Sequence, residues 1–315
     1  MSERPLVSVI MPAYNAEAFV GEAIESALAQ GYRPLEVLVA DDGSSDATAR
    51  VVKAFGGPVR YLWRRSGGPA AARNTALRAA RGDYIAFLDS DDLWHPRKLE
   101  VQLGLMEARP EVAICGTRML KFRNRGGLTW EPVPPEPEVR PICGDSLLMR
   151  NRFSTSTVLA RAEAVRRAGE FDEDIFGPED WDMWRRILQG GCGLHLRAVL
   201  AAYRERDDSI SDNAARMLAN NRKVLGKAFR DNPEMPRRRR LKAVSYMHLD
   251  AALEYGKGRR GRALAEVAKS FLLWPLPLGR ANVRSLLRLK LTACLALGLG
   301  AVRTDGDIRS EGDGG

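Results

Sequence analysis

The sequence predicts an α/β fold followed by a C-terminal helical segment. Three observations carry the prediction. Strand-length apolar runs alternate with helix-period segments from the start of the chain. Polar clusters close the early strands, where open α/β sheets bind ligands. Beyond about residue 215 strand signals fade and helical ones dominate.

Taken in order, Leu6 to Met11 reads as a buried strand. From Asn15, placed as an N-cap, Phe19, Val20, Ala23, Ile24, Ala27 and Leu28 recur at helical spacing up to Gly31. Leu35 to Ala40 is a second strand, ending on Asp41-Asp42-Gly43-Ser44-Ser45-Asp46. A short helix and a strand at Val59–Trp63 follow. The next helix opens at Ser66-Gly67-Gly68 with Pro69 in its first turn and stops near Gly82. Tyr84 to Leu88 is a third buried strand, closed by Asp89-Ser90-Asp91-Asp92, and Pro96 opens another helix. Prolines at 132, 134, 135, 137 and 141 make Glu131–Pro141 a surface loop without regular structure. Farther on, Arg237–Arg240, Gly256–Gly261 and Trp274–Leu278 read as breaks between helices.

The 315 residues, 45% hydrophobic and 28% charged, suffice for a full core. The net charge of +9 is uneven. Residues 216–302 hold 19 Lys and Arg against 5 Asp and Glu, a surplus of 14. That segment reads either as a solvated helical surface or as one drawn to anionic lipid headgroups. Phe271–Leu278 and Leu286–Leu299 supply apolar stretches beside its charges. Aromatics are not interleaved with the basic residues, which excludes a nucleic-acid platform. Cys115, Cys143, Cys192 and Cys294 form neither a metal pattern nor a disulfide framework and fit a reducing compartment. No signal-peptide pattern opens the chain, and Leu291–Val302 is too short to span a membrane. The expected location is the cytoplasm, with peripheral contact at the inner face of the plasma membrane.

Asp89-Ser90-Asp91 leaves a strand so that alternate carboxylates can address one point. A hard divalent cation, Mg²⁺ or Mn²⁺, suits such oxygen ligands and leaves positions for phosphate oxygens. Asp41-Asp42 admits two readings, a turn and helix cap or a carboxylate accepting hydrogen bonds from a nucleobase or ribose. Pro12-Ala13-Tyr14-Asn15 would add an aromatic wall to that pocket. Pro178-Glu179-Asp180-Trp181-Asp182-Met183-Trp184 reads as an acidic helix start with core tryptophans, or as a base beside an apolar wall that raises its pKa.

In this order, these pieces resemble glycosyltransferase family 2, together with Ala72-Arg73-Asn74 and Gly169-Glu170-Phe171-Asp172. The resemblance covers residues 6 to 215. It implies a GT-A fold with a mixed, mostly parallel sheet flanked by helices. It also implies inverting transfer of a sugar from a nucleotide diphosphate donor, a UDP-sugar, to a polysaccharide, lipid-linked or cell-surface glycan acceptor. On matching positions Pro12, Tyr14 and Asn15 with Asp41 and Asp42 would line the nucleotide pocket, and Arg73 and Asn74 would lie near the diphosphate and sugar. Asp89 and Asp91 would hold the metal, and Asp180 would be the base, supported by Glu179 and Asp182. Tyr203-Arg204-Glu205-Arg206 departs from the family pattern, because Arg206 stands where a histidine is usual. An arginine there could cover the diphosphate but could not ligate a metal. The Gln-x-x-Arg-Trp signature of processive synthases is absent, so one sugar per encounter is expected.

The implied organisation is a catalytic domain at 1–215, a basic helical extension at 216–302 and a disordered tail at 303–315. Acceptor contacts are expected from Ser154–Thr157, the proline-rich loop and the C-terminal helices. Two rivals stand beside this reading. A sugar-phosphate nucleotidyltransferase would carry a Gly-rich basic loop where Pro12-Ala13-Tyr14-Asn15 stands. A non-catalytic membrane-associated scaffold would have lost Asp89, Asp91 or Asp180. No Gly-x-Gly-x-x-Gly follows a strand, which disfavours a dehydrogenase.

Overall fold

The computed structural model describes residues 4–189, 191–206, 213–256 and 259–275. These divide into two compact units, residues 4–147 with 151–206, and residues 148–150 with those from 213 onward. The expected tail at 303–315, the apolar stretch 286–299, and residues 207–211 and 276–278 lie outside the described residues.

The first unit is built on one sheet of nine described strands. β1 (Val7–Ala13), β2 (Leu35–Asp41), β3 (Val59–Trp63) and β4 (Tyr84–Phe87) run parallel, joined through α1 (Val20–Leu28), α2 (Thr48–Lys53) and α3 (Pro69–Ala79). Then come β5 (Leu93–Trp94), α4 (Lys98–Glu107), β6 (Val112–Phe122), β7 (Val139–Ile142), α5 (Gly144–Met149), β8 (Leu159–Arg161), α6 (Ala162–Ala168), α7 (Glu179–Ile187) and β9 (Cys192–Arg204). The strand order is β3-β2-β1-β4-β8-β6-β9-β5, with β7 on β9. β8, β5 and β7 pair antiparallel and the other six point one way, so the sheet is mixed and mostly parallel as expected.

Both sheet faces are covered, which is why β1 and β2 are continuous apolar runs rather than alternating ones. Val7, Val9 and Met11 face one core layer, with Ile24 and Leu103. Ile10, Leu38 and Phe87 face the other, with Phe171 and Trp184. The second unit contains α8 (Ala214–Asp231), α9 (Arg237–Tyr255) and α10 (Arg260–Leu273). Ser245 and Ser270 exchange hydrogen bonds between α9 and α10, and His248 pairs with Glu266. No helix among the described residues is long and apolar enough to cross a membrane.

Three local expectations fail for identifiable reasons. Asn15 does not cap α1, which begins at Val20; Asn15 instead adopts a left-handed φ of 45°. Pro141 lies inside β7 rather than in a loop, because β7 is an outer strand where a missing N–H costs little. Arg237–Arg240 is the first turn of α9 and not a break, since Pro236 already sets the helix start.

One segment of this frame positions the site. Trp94 Nε1 donates to the Ser156 carbonyl (2.7 Å), and Gln102 Nε2 donates to the Thr157 carbonyl (3.0 Å) and to that of Cys115 (2.8 Å). They pin the turn 154–157 from beneath. Between them Lys98 is fully buried, its ammonium 4.2 Å from the Trp94 ring centroid. Burial pushes its pKa down to about 7, and the Cys115 thiol beside it is pushed up to about 12. A base with a lowered folded pKa lets the unfolded chain bind more protons between pH 7 and 10.5, so stability rises with pH across that window. Lys98→Met should therefore raise the unfolding free energy by about 1 kcal/mol or more at pH 6, with the gain shrinking toward pH 10. Urea melts of the variant and parent across that range check it.

Candidate active site

The loops after β1 and β2 are tied together. The Asn15 N–H donates to Ser44 Oγ and its Oδ1 accepts from the Ser45 N–H, both at 2.9 Å. Tyr14 beside it is 57% exposed, an aromatic face offered to a ligand, and Pro12 is half-buried. The two carboxylates at the end of β2 diverge. Asp41 turns inward and accepts from the Ser44 N–H (2.8 Å) and the Tyr61 hydroxyl (2.6 Å), so its side chain stabilises the turn rather than facing the pocket. Burial and Asp41 together push the Tyr61 phenol up. Asp42 gathers the segment ahead of α3, accepting from Arg64 and from the N–H groups of Gly67 (3.0 Å) and Gly68 (2.7 Å). Gly68 holds φ at 94°, a conformation that favours glycine. Arg64 thus stands at this pocket, a residue the sequence reading passed over.

The centre is Arg73 on α3, 5% exposed. Its Nη1 donates to Glu179 Oε1 at 2.6 Å and its Nη2 to Asp89 Oδ1 at 2.7 Å. The two carboxylates hold the buried guanidinium protonated. One side chain so couples the end of β4 to the start of α7. Asn74 behaves differently from its expected place near the diphosphate. Its amide is consumed by the Phe171 backbone, at 3.0 and 2.8 Å, and by Glu173 Oε1 (2.9 Å), so it fastens the 171–173 segment.

Asp89 and Asp91 leave β4 with partly exposed carboxylates, side chains 32% and 27% accessible. Burial and the neighbouring Asp89 charge raise the Asp91 pKa, and Arg206 opposes the shift from 3.3 Å. Arg206 stacks on Phe19 at 5.0 Å, and Arg204 lies between Phe19 and Phe122 at 4.9 and 4.4 Å. Arg204 Nε donates to the Asp91 carbonyl (2.8 Å), which fixes the backbone just after the second of these carboxylates. Asp92 is buried and accepts from Ser156 Oγ (2.6 Å) and the Arg204 N–H (3.1 Å); desolvation and the charges of Asp91 and Asp89 raise its pKa well above the ordinary range. Two hard, accessible carboxylates suit Mg²⁺ or Mn²⁺ bound through few protein ligands, with phosphate and water completing the shell. Among the described residues no cluster of three or more His, Cys, Asp or Glu offers a full protein cage.

Asp180 opens α7. Its Oδ2 accepts from Asn151 Nδ2 and Thr155 Oγ1, both at 3.0 Å, and its Oδ1 from the Trp181 N–H at 2.6 Å. Desolvation and the neighbouring Glu179 charge push its pKa up to about 7, against the pull of Arg73 and these donors. Glu179 is fully engaged by Arg73 and the Gly177 N–H (2.7 Å). Asp182 does not join them: it is fully buried and paired with Arg185 (3.2 Å) and Arg186 (2.9 Å) on its own helix. Nothing in the sequence pointed to Asn151 and Thr155 as partners of Asp180; Ser154–Thr157 had suggested only an acceptor loop.

Thr155 stabilises the charged form of Asp180, so removing its hydroxyl should raise that pKa further. For Thr155→Val the expected shift is upward by about 0.5–1 unit, the worth of one such hydrogen bond. Carboxyl titration followed by NMR reads it, and an unchanged or lowered value would contradict this geometry.

Against this geometry stand the comparisons with known proteins. The glycosyl transferase family 2 model matches residues 8–173. UDP-Glc:alpha-D-GlcNAc-diphosphoundecaprenol beta-1,3-glucosyltransferase WfgD of Escherichia coli is 34% identical over 232 residues, covering 72% of this chain and 88% of that protein. Among solved structures, S. aureus TarS 1-349 superposes with a TM-score of 0.61 at 17% identity, covering 93% of this chain and 91% of that one. The match spans 52% of the longer TarS chain. Mannosyltransferase PcManGT of Pyrobaculum calidifontis, in complex with GDP-Man and Mn²⁺, gives 0.59 at 23% identity over 93% of this chain and 81% of that one. These likenesses support the GT-A fold, and the family match extends over more than half of the sequence, so the chain belongs to glycosyl transferase family 2.

Proposed function

We propose that the chain is an inverting, metal-dependent glycosyltransferase moving a sugar from a UDP-sugar to a hydroxyl of a polysaccharide, lipid-linked or cell-surface glycan. The observation that carries this reading is the Arg73 bridge, whose buried cation joins Asp89 to Glu179, the immediate neighbour of the proposed base Asp180. The name of WfgD gives UDP-Glc and a diphosphoundecaprenol-linked sugar as its substrates, which supports the donor and acceptor classes.

In this mechanism the base of the donor rests against Tyr14 and Pro12, with Asp42 and Arg64 at its polar edge. Asp89 and Asp91 would hold Mg²⁺ or Mn²⁺, which when bound neutralises charge gathering on the departing diphosphate. Arg206, propped on Phe19, presents a planar fork suited to phosphate oxygens. Asp180 takes the proton of the acceptor hydroxyl at Oδ1, which carries a hydrogen bond from the Trp181 N–H. A pKa about 7 matches a base that must be free at neutral pH yet strong enough to accept. Since Glu179 is committed to Arg73, one carboxylate does this work, and a single displacement inverts the anomeric carbon. The enzyme would act at the cytoplasmic face, with the basic segment of residues 216–302 against the membrane. The rival scaffold reading predicts no nucleotide binding at all.

Calorimetric titration with UDP, GDP and other nucleoside diphosphates, with and without Mn²⁺, tests the proposal. UDP binding should require the metal and weaken about tenfold or more in Asp91→Ala. Asp180→Ala should bind UDP within about twofold of the parent while transfer falls by about 10²-fold or more. A folded protein that binds none of these nucleotides would leave the scaffold reading. For the membrane part, flotation with anionic liposomes at low salt should carry the protein upward; protein left at the bottom would remove that part.

A further inference from the structure

Cys143 and Cys192 stand far apart in the sequence, and strand pairing brings them opposite each other. β7 and β9 run antiparallel, with Val139 opposite Leu196, Arg140 opposite His195, Pro141 opposite Leu194 and Ile142 opposite Gly193. Each step forward on β7 is one step back on β9, so the next pair is Cys143 with Cys192. Cys192 is the first residue of β9 and already lies in the sheet, paired with Val112 of β6. Cys143 follows β7 directly and precedes α5. Its carbonyl accepts from the Ser146 N–H (3.0 Å) and the Ser146 hydroxyl (2.8 Å). That is an N-cap position, where the backbone stays extended, so the strand direction carries through it.

The neighbouring glycines show how closely the chain approaches itself here. A Cβ on Gly193 would lie 3.3 Å from the Ile142 carbonyl oxygen, and a Cβ on Gly144 would lie 3.1 Å from that of Leu188, just past α7. Opposite residues of an antiparallel ladder have Cα atoms about 4.5–5.5 Å apart, inside the range of about 4.4–6.8 Å that a disulfide spans. The two side chains also leave the same face. Alternation groups Cys143 with Pro141 and Val139, and Cys192 with Leu194 and Leu196. Val139, Leu194 and Leu196 all pack with the layer of Val7 and Val9. Both thiols are free and exposed, whereas Cys115 is buried.

The stretch between the two cysteines carries Asp180 with its partners Asn151 and Thr155. Within it Trp181 Nε1 donates to the Leu147 carbonyl at 2.5 Å, which already ties α7 to α5. A bond between Cys143 and Cys192 would add a second, covalent tie between the start of α5 and the strand that follows α7. Spacing along the chain gives no hint of this pair, because only the register of β7 on β9 creates it.

We propose that Cys143 and Cys192 form a dithiol–disulfide site, which a small-molecule disulfide such as oxidised glutathione converts to an intramolecular bond closing residues 143–192 into a loop. In the first exchange the thiolate of one cysteine attacks a glutathione sulfur, forming a mixed disulfide and releasing one glutathione thiol. The other cysteine then attacks the protein sulfur of that bond and expels the second glutathione. Two protein thiols are oxidised, one glutathione disulfide is reduced to two thiols, and the two protons pass to these. The second exchange is intramolecular, between sulfurs that the sheet holds side by side, so ring closure is favoured over a lasting mixed disulfide. A reducing compartment keeps both thiols, and an oxidising episode closes the loop. The bond removes conformational freedom from the unfolded chain, so the oxidised form is the more heat-stable one. None of this depends on the glycosyl-transfer reading.

The test treats the reduced full chain with oxidised glutathione under native conditions. Remaining thiols are capped with iodoacetamide, and the digest is mapped by mass spectrometry without reductant. The expected product is a single chain in which the Cys143 peptide is joined to the Cys192 peptide, with no glutathione left on either. Its melting temperature should stand about 5 °C or more above that of the reduced chain, and dithiothreitol should restore the lower value. In Cys143→Ser the same treatment should leave one glutathione on Cys192 and no rise in melting temperature. Glutathione retained on both cysteines of the parent, a disulfide between two chains, or a link from either cysteine to Cys294 overturns the proposal. The map of the parent decides the matter even if the serine variant does not fold.

Discussion

The buried guanidinium of Arg73 is the constraint on which the site depends. It sits at 5% exposure between two carboxylates, one from the end of a central strand and one from the start of a helix 106 residues downstream of it. Asp89, Glu179 and Asp180 would otherwise gather negative charge in a poorly solvated place. Breaking a buried pair of this kind by removing one partner costs about 3–5 kcal/mol, because a charge is left without compensation. Lysine would not replace it, since a point charge cannot reach both carboxylates with separate, directed donors. The cation therefore fixes two distances at once, that between the strand end and α7 and that between Asp89 and Asp180.

Around it the other contacts refine rather than create the arrangement. Trp94 and Gln102 hold the turn 154–157. That turn lends Thr155 to Asp180 and Ser156 to Asp92, so one short stretch of backbone reports to both halves of the site. Arg204, at the end of β9, closes the circuit by donating to the Asp91 carbonyl and pairing with Glu22 of α1 at 2.5 Å. Thr155 and Ser156 sit on a turn braced from below, and Arg204 on a strand end.

How much of this was legible in the sequence depends on the kind of signal. Strands covered on both faces announce themselves as apolar runs, so β1, β2 and β4 and the polar clusters after them could be located directly. Pro69 after two glycines marked α3 for the same local reason. The roles of individual polar residues were less legible, because a hydrogen-bond partner is chosen by tertiary proximity. Asn74 and Asp182 looked like site residues by position, yet folding turns one toward Phe171 and the other toward Arg185 and Arg186. Arg64, Asn151 and Thr155 lie far along the chain from the carboxylates they meet, and no periodicity points to them. Asn15 had the chemistry of a cap but was claimed by the neighbouring loop.

The raised pKa of Asp180 has a consequence for anyone selecting improved forms of this enzyme. At neutral and alkaline pH the folded chain must hold there a charge that the unfolded chain solvates freely, so the native state bears a local penalty. Replacement by a neutral isostere relieves that penalty. A screen rewarding thermal tolerance alone would favour such replacements early and, with Asp180 as the proposed base, enrich inert molecules, so activity has to be scored alongside survival.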